Sequence, residues 1–247
     1  MAQYMSKIAA NISRVRAEIQ RAAAAAGRNA NDIMLLAVSK GQPADAVAEA
    51  SDAGLRDFGE SYLQEALGKM AALREVPLCW HFLGPVQSNK TRRIAEHFSW
   101  LHSLDRLAIA ERLSRQRPVD RPPLQVCLQV NLDGEATKSG VAPEALTELA
   151  LAVSALPRLR LRGLMAIPRP RSGQTAQRRP FRELADLLAN LRRASPRLAG
   201  LDTLSMGMSA DLEAAVLEGA TLVRVGAAIF GPRPRDSRRE LGCTTGN

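Results

Sequence analysis

The chain has 247 residues, 46% hydrophobic and 24% charged, with a formal net charge of +9. The apolar share can fill a large core, yet no uncharged apolar run reaches the roughly 18 residues of a membrane span, so a soluble, cytoplasmic protein is expected. The positive charge favours anionic partners, but the arginines are spread along the chain and aromatic residues for base stacking amount to only 4%, which speaks against nucleic acid.

The first 27 residues scatter their charges and do not read as a signal peptide. Ile8, Ile12, Val15 and Ile19 recur at helical spacing and predict an amphipathic helix over 5–26, closed by Gly27. Short apolar runs then alternate with helical stretches. The runs are 33–39, 57–59, 80–83, 100–104, 124–131, 159–167, 203–206 and 222–226. Helices are predicted over 44–53, 61–73, 88–97, 105–116, 143–155, 178–194 and 209–218. This alternation demands a parallel sheet, and its length and strand number predict a single α/β domain over 1–232, a (β/α)8 TIM-like barrel with an extra N-terminal helix. A doubly wound open sheet is the alternative, but no G-x-G-x-x-G follows the first strand. Residues 233–247 read as a polar, mobile tail.

Lysine is sparse, being confined to Lys7, Lys40, Lys69, Lys90 and Lys138. Lys40 ends the first strand, "IMLLAVSKG", at the end where barrels place reacting groups. By strand alternation it shares a face with Val38, Leu36 and Met34. If that face is the interior, burial lowers the amine's pKa and suits Schiff-base chemistry, with the carbonyl on either a substrate or pyridoxal phosphate. Near the other end of the chain, "TLSMGMSADLEAAV" is a strand, a glycine turn and a helix opened by Ser209. Ser205, Gly207 and Ser209 form either a phosphate cradle or an ordinary serine-capped helix. Arg224 interrupts the last buried strand and points either outward to a neighbouring helix or inward to the mouth. Gly226 and Ala227 follow it with backbone donors, beside the loop after the seventh strand where barrels commonly bind phosphate.

The segments "LLAVSK", "FGESYLQE", "WHFLGPVQSNK", "KSG", "LRGLMAIP", "DTLSMGMSADLEAAV" and "VRVGAAIFG" resemble, in order, the pyridoxal phosphate homeostasis protein family. The resemblance implies a barrel like the N-terminal domain of alanine racemase, with pyridoxal 5′-phosphate (PLP) bound as a covalent aldimine on Lys40. It implies Arg224 at the pyridine nitrogen and Ser205, Met206, Ser209, Gly226 and Ala227 around the phosphate. Three positions depart from the family pattern. Ser61 replaces an asparagine but keeps a hydrogen-bonding group, Ala227 replaces a threonine and offers only its amide, and Gln42 replaces a second lysine found in some members.

The implied function is a monomeric carrier in vitamin B6 homeostasis that buffers PLP or delivers it to PLP-dependent apo-enzymes. A PLP-dependent amino-acid racemase is the alternative. It needs groups on both faces of the cofactor; in alanine racemase the opposing tyrosine comes from a second domain, which is not expected here, and Tyr4 and Tyr62 both lie in the first quarter of the chain. "GPVQSNKT" also comes within one residue of a P-loop, but Asn89 replaces its second glycine and Pro85 removes an amide. Cys79, Cys127 and Cys243 are too widely spaced for a zinc motif. His102 reads as structural, with no proton-transfer partner visible in the sequence.

Overall fold

The computed structural model describes residues 6–134 and 139–232; the tail at 233–247 and the lysine of "KSG", Lys138, lie outside the described residues. Eight parallel strands close on themselves in chain order. They are β1 (Met34–Val38), β2 (Asp57–Glu60), β3 (Cys79–Phe82), β4 (Trp100–Leu104), β5 (Leu124–Gln129), β6 (Leu159–Met165), β7 (Thr203–Ser205) and β8 (Leu222–Val225). The helices outside them are α1 (Lys7–Ala25), α2 (Ala44–Asp52), α3 (Leu63–Ala72), α4 (Thr91–His97), α5 (Leu107–Gln116), α6 (Leu146–Ser154), α7 (Gln174–Ala194), α8 (Leu212–Leu217) and α9 (Ala227–Phe230). The expected (β/α)8 barrel is thus present, with each predicted strand within a few residues of its observed place.

The extra helix α1 packs on the outside of the barrel against α2, α8 and α9. Its N-cap Ser6 accepts a hydrogen bond from the Ala9 amide, and its buried stripe is Ile12, Val15, Ile19, Ala22 and Ala23. At the other end the Arg28 amide returns to the Ala23 carbonyl, the long bond of a Schellman closure. Asn11 Nδ2 donates to the Ile229 carbonyl at 2.8 Å, tying α1 to the turn that follows β8.

Two helix starts and one unpredicted helix need a physical reason. The helix expected from Ser209 begins only at Leu212, because the Asp211 carboxylate accepts the Met208 amide at 2.6 Å and holds 208–211 as a turn. Helix α7 starts at Gln174, a turn before the predicted 178 and about two turns before its apolar stripe of Phe181, Leu184, Leu188 and Leu191, and carries Pro180 within it. The one-turn helix α9 is too short to show a hydrophobic period.

Register decides what faces the barrel axis. In β1 and β8, Met34 pairs with Leu222 and Leu36 with Arg224, so Arg224 shares the inward face with Leu36. Between β2 and β3, Asp57 pairs with Cys79 and Gly59 with His81. The interior is accordingly not wholly apolar: His81, His102, Ser205 and Arg224 are all buried in it.

Candidate cofactor site

A cavity of about 530 Å³ opens among the loops at the C-terminal ends of the strands. Val38 and Lys40 line it from β1 and its following loop, Arg224, Gly226 and Ala227 from β8 and α9, and Ser209 from the loop after β7. Ser61 and Gln42 also reach it, so every departure from the family pattern lies on the wall. Of the described residues lining it, Lys40 and Arg224 alone carry ionisable side chains.

Local structure fixes Lys40 in that wall. The Ser39 amide donates to Gly59, extending the β1–β2 ladder by one residue, and the Gln42 amide then donates back to the Ser39 carbonyl at 3.0 Å. Lys40 and Gly41 are therefore the central residues of a tight turn, and Gly41 takes φ 74°, which its lack of a Cβ permits. Beneath the turn, Lys69 Nζ donates to the Ser39 carbonyl at 2.7 Å and pairs at 2.6 Å with both Glu60 Oε1 and Glu65 Oε1. Ser39 Oγ donates to the same Glu60 oxygen, and the Gly41 amide to Glu65. Burial pushes the Glu60 carboxyl above its ordinary range, opposed by hydrogen bonds from Lys69 and Ser39. The sequence reading missed this network. The signal was present, since Glu60 ends a buried strand just as Arg224 interrupts one.

Arg224 points inward, resolving the alternative left open by the sequence. Its Nη1 donates to the carbonyl and to Oγ of Ser205, the latter at 2.8 Å, and its Nη2 to the Ala166 carbonyl at 2.9 Å. Burial lowers its pKa to about 10, with Asp211 opposing, so it remains a cation at neutral pH. Ser205, Met206 and Gly207 are buried beside the cavity and do not line it. The Ser205 hydroxyl is bound to Arg224 and, at 2.8 Å, to His102 Nδ1. His102 thus has hydrogen-bond partners that its sequence neighbours do not reveal, because the barrel brings β4 and β7 side chains together across its axis.

The donor set fits an aldehyde-bearing aromatic phosphate. It combines an amine at one wall, a guanidinium near the base, the hydroxyl of Ser209, and the Ala227 amide at the start of α9, where the helix turns back only from Ile229 and Phe230 onto the Gly226 carbonyl. The volume lies within the roughly 300–1,000 Å³ of small-molecule sites. A Cβ on Gly226 would come 3.0 Å from the Val38 carbonyl, so the backbone there passes close to β1 and leaves its cavity side clear of a side chain.

A closed parallel barrel with one amine and one inward guanidinium at its C-terminal mouth defines a class of small-molecule-binding (β/α)8 proteins. The chain belongs to the alanine racemase N-terminal domain family, whose model matches residues 6–234. Within it, the chain groups with proteins named pyridoxal phosphate homeostasis protein. That of Pseudomonas aeruginosa is 64% identical over 93% of this chain and 97% of its own, and that of Escherichia coli K12 is 52% identical over 93% and 98%. The structure of PipY from Synechococcus elongatus with PLP bound superposes with a TM-score of 0.80 at 39% identity, over 91% of this chain and all of that one. Alanine racemase of Corynebacterium glutamicum shares the fold alone, at 18% identity and a TM-score of 0.63, covering 94% of this chain and 62% of its own.

Proposed function

We propose that this protein binds PLP in the barrel mouth through a covalent aldimine on Lys40, and that it buffers the cofactor in the cytoplasm or delivers it to PLP-dependent apo-enzymes. One observation carries the reading: Lys40 and Arg224 face a single cavity whose wall includes the loops after β7 and β8. PLP would supply an aldehyde for the Lys40 amine and a phosphate for hydrogen-bond donors. In this reading Arg224 meets the ring nitrogen. Ser209, Gly226 and Ala227 hold the phosphate, Ser61 contacts the ring side, and Met206 and Gly207 shape the loop behind it. Ser205 acts through Arg224, since its hydroxyl is already committed there.

We assign the protein no substantial turnover. A guanidinium at the ring nitrogen disfavours its protonation and weakens the ring as an electron sink. Among the described residues Lys40 is the sole candidate proton carrier on the cavity wall, and Tyr62 is 57% exposed and does not line it. A monomer accounts for the site, because every proposed contact comes from one chain.

Borohydride reduction of the PLP-loaded protein followed by peptide mapping tests the covalent link: a pyridoxyl group is expected on Lys40, and one on Lys90 or Lys138 overturns it. Transfer to an apo-transaminase, with free PLP trapped, tests delivery. Racemisation of alanine or serine at an enzyme-like rate, lost in Lys40→Ala, would instead establish the racemase reading.

A further inference from the structure

A file of polar side chains runs through the barrel interior below the cavity. Arg224 Nη1 lies 2.8 Å from Ser205 Oγ, and Ser205 Oγ lies 2.8 Å from His102 Nδ1. His102 Nε2 is 2.9 Å from His81 Nδ1, and His81 Nε2 is 3.1 Å from Asp57 Oδ1. Five strands contribute one residue each. Asp57 is the first residue of β2, so the file reaches from the mouth to the opposite, N-terminal end of the barrel.

The two ends set its direction. A guanidinium can only donate and a carboxylate can only accept. Arg224 gives a proton to Ser205 Oγ, so the Ser205 hydroxyl proton is satisfied by passing to His102 Nδ1. His102 then carries its proton on Nε2 and donates to His81 Nδ1, and His81 carries its own on Nε2 and donates to Asp57. Each residue donates once along the file, with no proton left over. In the reverse order, or with either imidazole doubly protonated, His102 Nδ1 would bear a hydrogen facing Ser205. The buried Ser205 hydroxyl would then have no acceptor among the described residues and its desolvation would go uncompensated.

We propose that His102 and His81 are positioning residues of the cofactor site, forming with Ser205 and Asp57 a one-way hydrogen-bond chain that holds the Arg224 guanidinium in place. Its importance for the cofactor rests on the reading that Arg224 meets the PLP ring; the direction of the chain does not. The bonds to Ser205 and Ala166 occupy both Nη1 protons and one Nη2 proton, which fixes the guanidinium plane and leaves Nε–H and the second Nη2 proton for the cavity.

The surroundings keep both rings neutral. Burial lowers the pKa of His81 and His102, with His81 and Arg224 adding to the effect at His102 and Asp57 opposing it at His81. The charged and titratable groups facing the pair are Asp57 from β2, Cys79 from β3 and Arg224 from β8. Arg162 of β6 lies over the Trp100 ring that stacks on His81, and Asp211 acts on Arg224 from the loop before α8. Burial and Asp57 hold the Cys79 thiol up at about 12, so it remains protonated. Asp57, Cys79 and His81 place three potential metal ligand atoms within 4.8 Å of one another. A metal would need the lone pair at His81 Nε2, where the chain places a proton.

The chain contains only three histidines, which makes the test direct. Long-range 1H–15N NMR of the full-length protein, with and without PLP, should show His81 and His102 as Nε2–H tautomers that do not titrate between about pH 6.5 and 8.5. An Nδ1–H tautomer on either ring, a charged ring in that range, or movement of the His81 nitrogens on adding one equivalent of Zn2+ overturns the proposal. In the loaded protein, His102→Leu should change the cofactor absorption spectrum and speed PLP loss about tenfold, the effect of one buried polar group left unpaired. His102→Gln, whose amide can accept and donate, should recover part of this. Equal spectra and retention in parent and His102→Leu would refute the positioning role. If the parent takes no PLP on Lys40, the functional reading fails instead, and the tautomers still decide the chain.

Discussion

At the scale of single residues, Lys40 depends on neighbours that never touch the cavity. Gly41 holds a positive φ in the turn, and Gly41→Ala should cost about 1–2 kcal/mol from backbone strain alone while displacing Lys40. A lowered melting temperature together with slower pyridoxyl incorporation would check it, and unchanged incorporation would mean that the turn is not what aims the amine. Lys69 presents a sharper case. Glu60 is fully buried, its Oε2 has no hydrogen-bond partner among the described residues, and its Oε1 depends on Lys69 and Ser39. Removing the ammonium strands a carboxylate, so Lys69→Met should destabilise the protein by about 3–5 kcal/mol. Adding Glu60→Gln should recover most of that loss, because the stranded charge is then gone. Denaturant melts of the two single variants and the double variant measure this, and additive effects would deny the coupling.

At the scale of elements, the strands were legible because a barrel strand covered on both faces reads as a short apolar run between breakers, and these runs occur at βα spacing. Register was partly legible too: alternation placed Lys40 with Val38, Leu36 and Met34; Val38 lines the cavity with Lys40, Leu36 pairs with the inward Arg224 below it, and Met34 is exposed at the start of the strand. Alternation could not orient Arg224, since that depends on which face of β8 closes against β1. Nor could it show the pairing of His102 with His81 and Ser205, which requires three strands to meet across the axis. The late start of α8 was hidden for a local reason, because a serine and an aspartate are both good caps and only the Asp211 bond to the Met208 amide decides between them. Helix α1 carries an element-scale prediction. Ile12 is 1% exposed on its buried stripe, so Ile12→Ala should cost about 2–5 kcal/mol. Because α1 is bonded to α9 through Asn11, PLP retention should fall along with stability. Full retention at a reduced melting temperature would separate α1 from the site.

At the scale of the whole molecule, the interior hydrogen-bond file makes stability depend on acid. His81 and His102 have folded pKa values below the ordinary 6.5, so the unfolded chain binds protons that the native barrel refuses. Stability therefore rises with pH wherever the unfolded state holds more protons, and its loss begins as pH falls through about 6.5, the unfolded value. Each histidine contributes a slope of up to about 1.4 kcal/mol per pH unit below that point. Glu60 acts in the opposite sense: its folded pKa is raised, so its contribution is largest below the ordinary carboxyl value and is lost as pH rises through the folded one. His97 is lowered too, by burial and by Arg93, so with three histidines against Glu60 the net expectation between about pH 6.5 and 5 is a fall in stability on acidification. Denaturant melts across that range should give a clearly smaller slope in His102→Gln, since one refused proton is removed with the ring. A slope unchanged by that substitution would show that acid unfolding enters elsewhere and that the buried pair does not govern it.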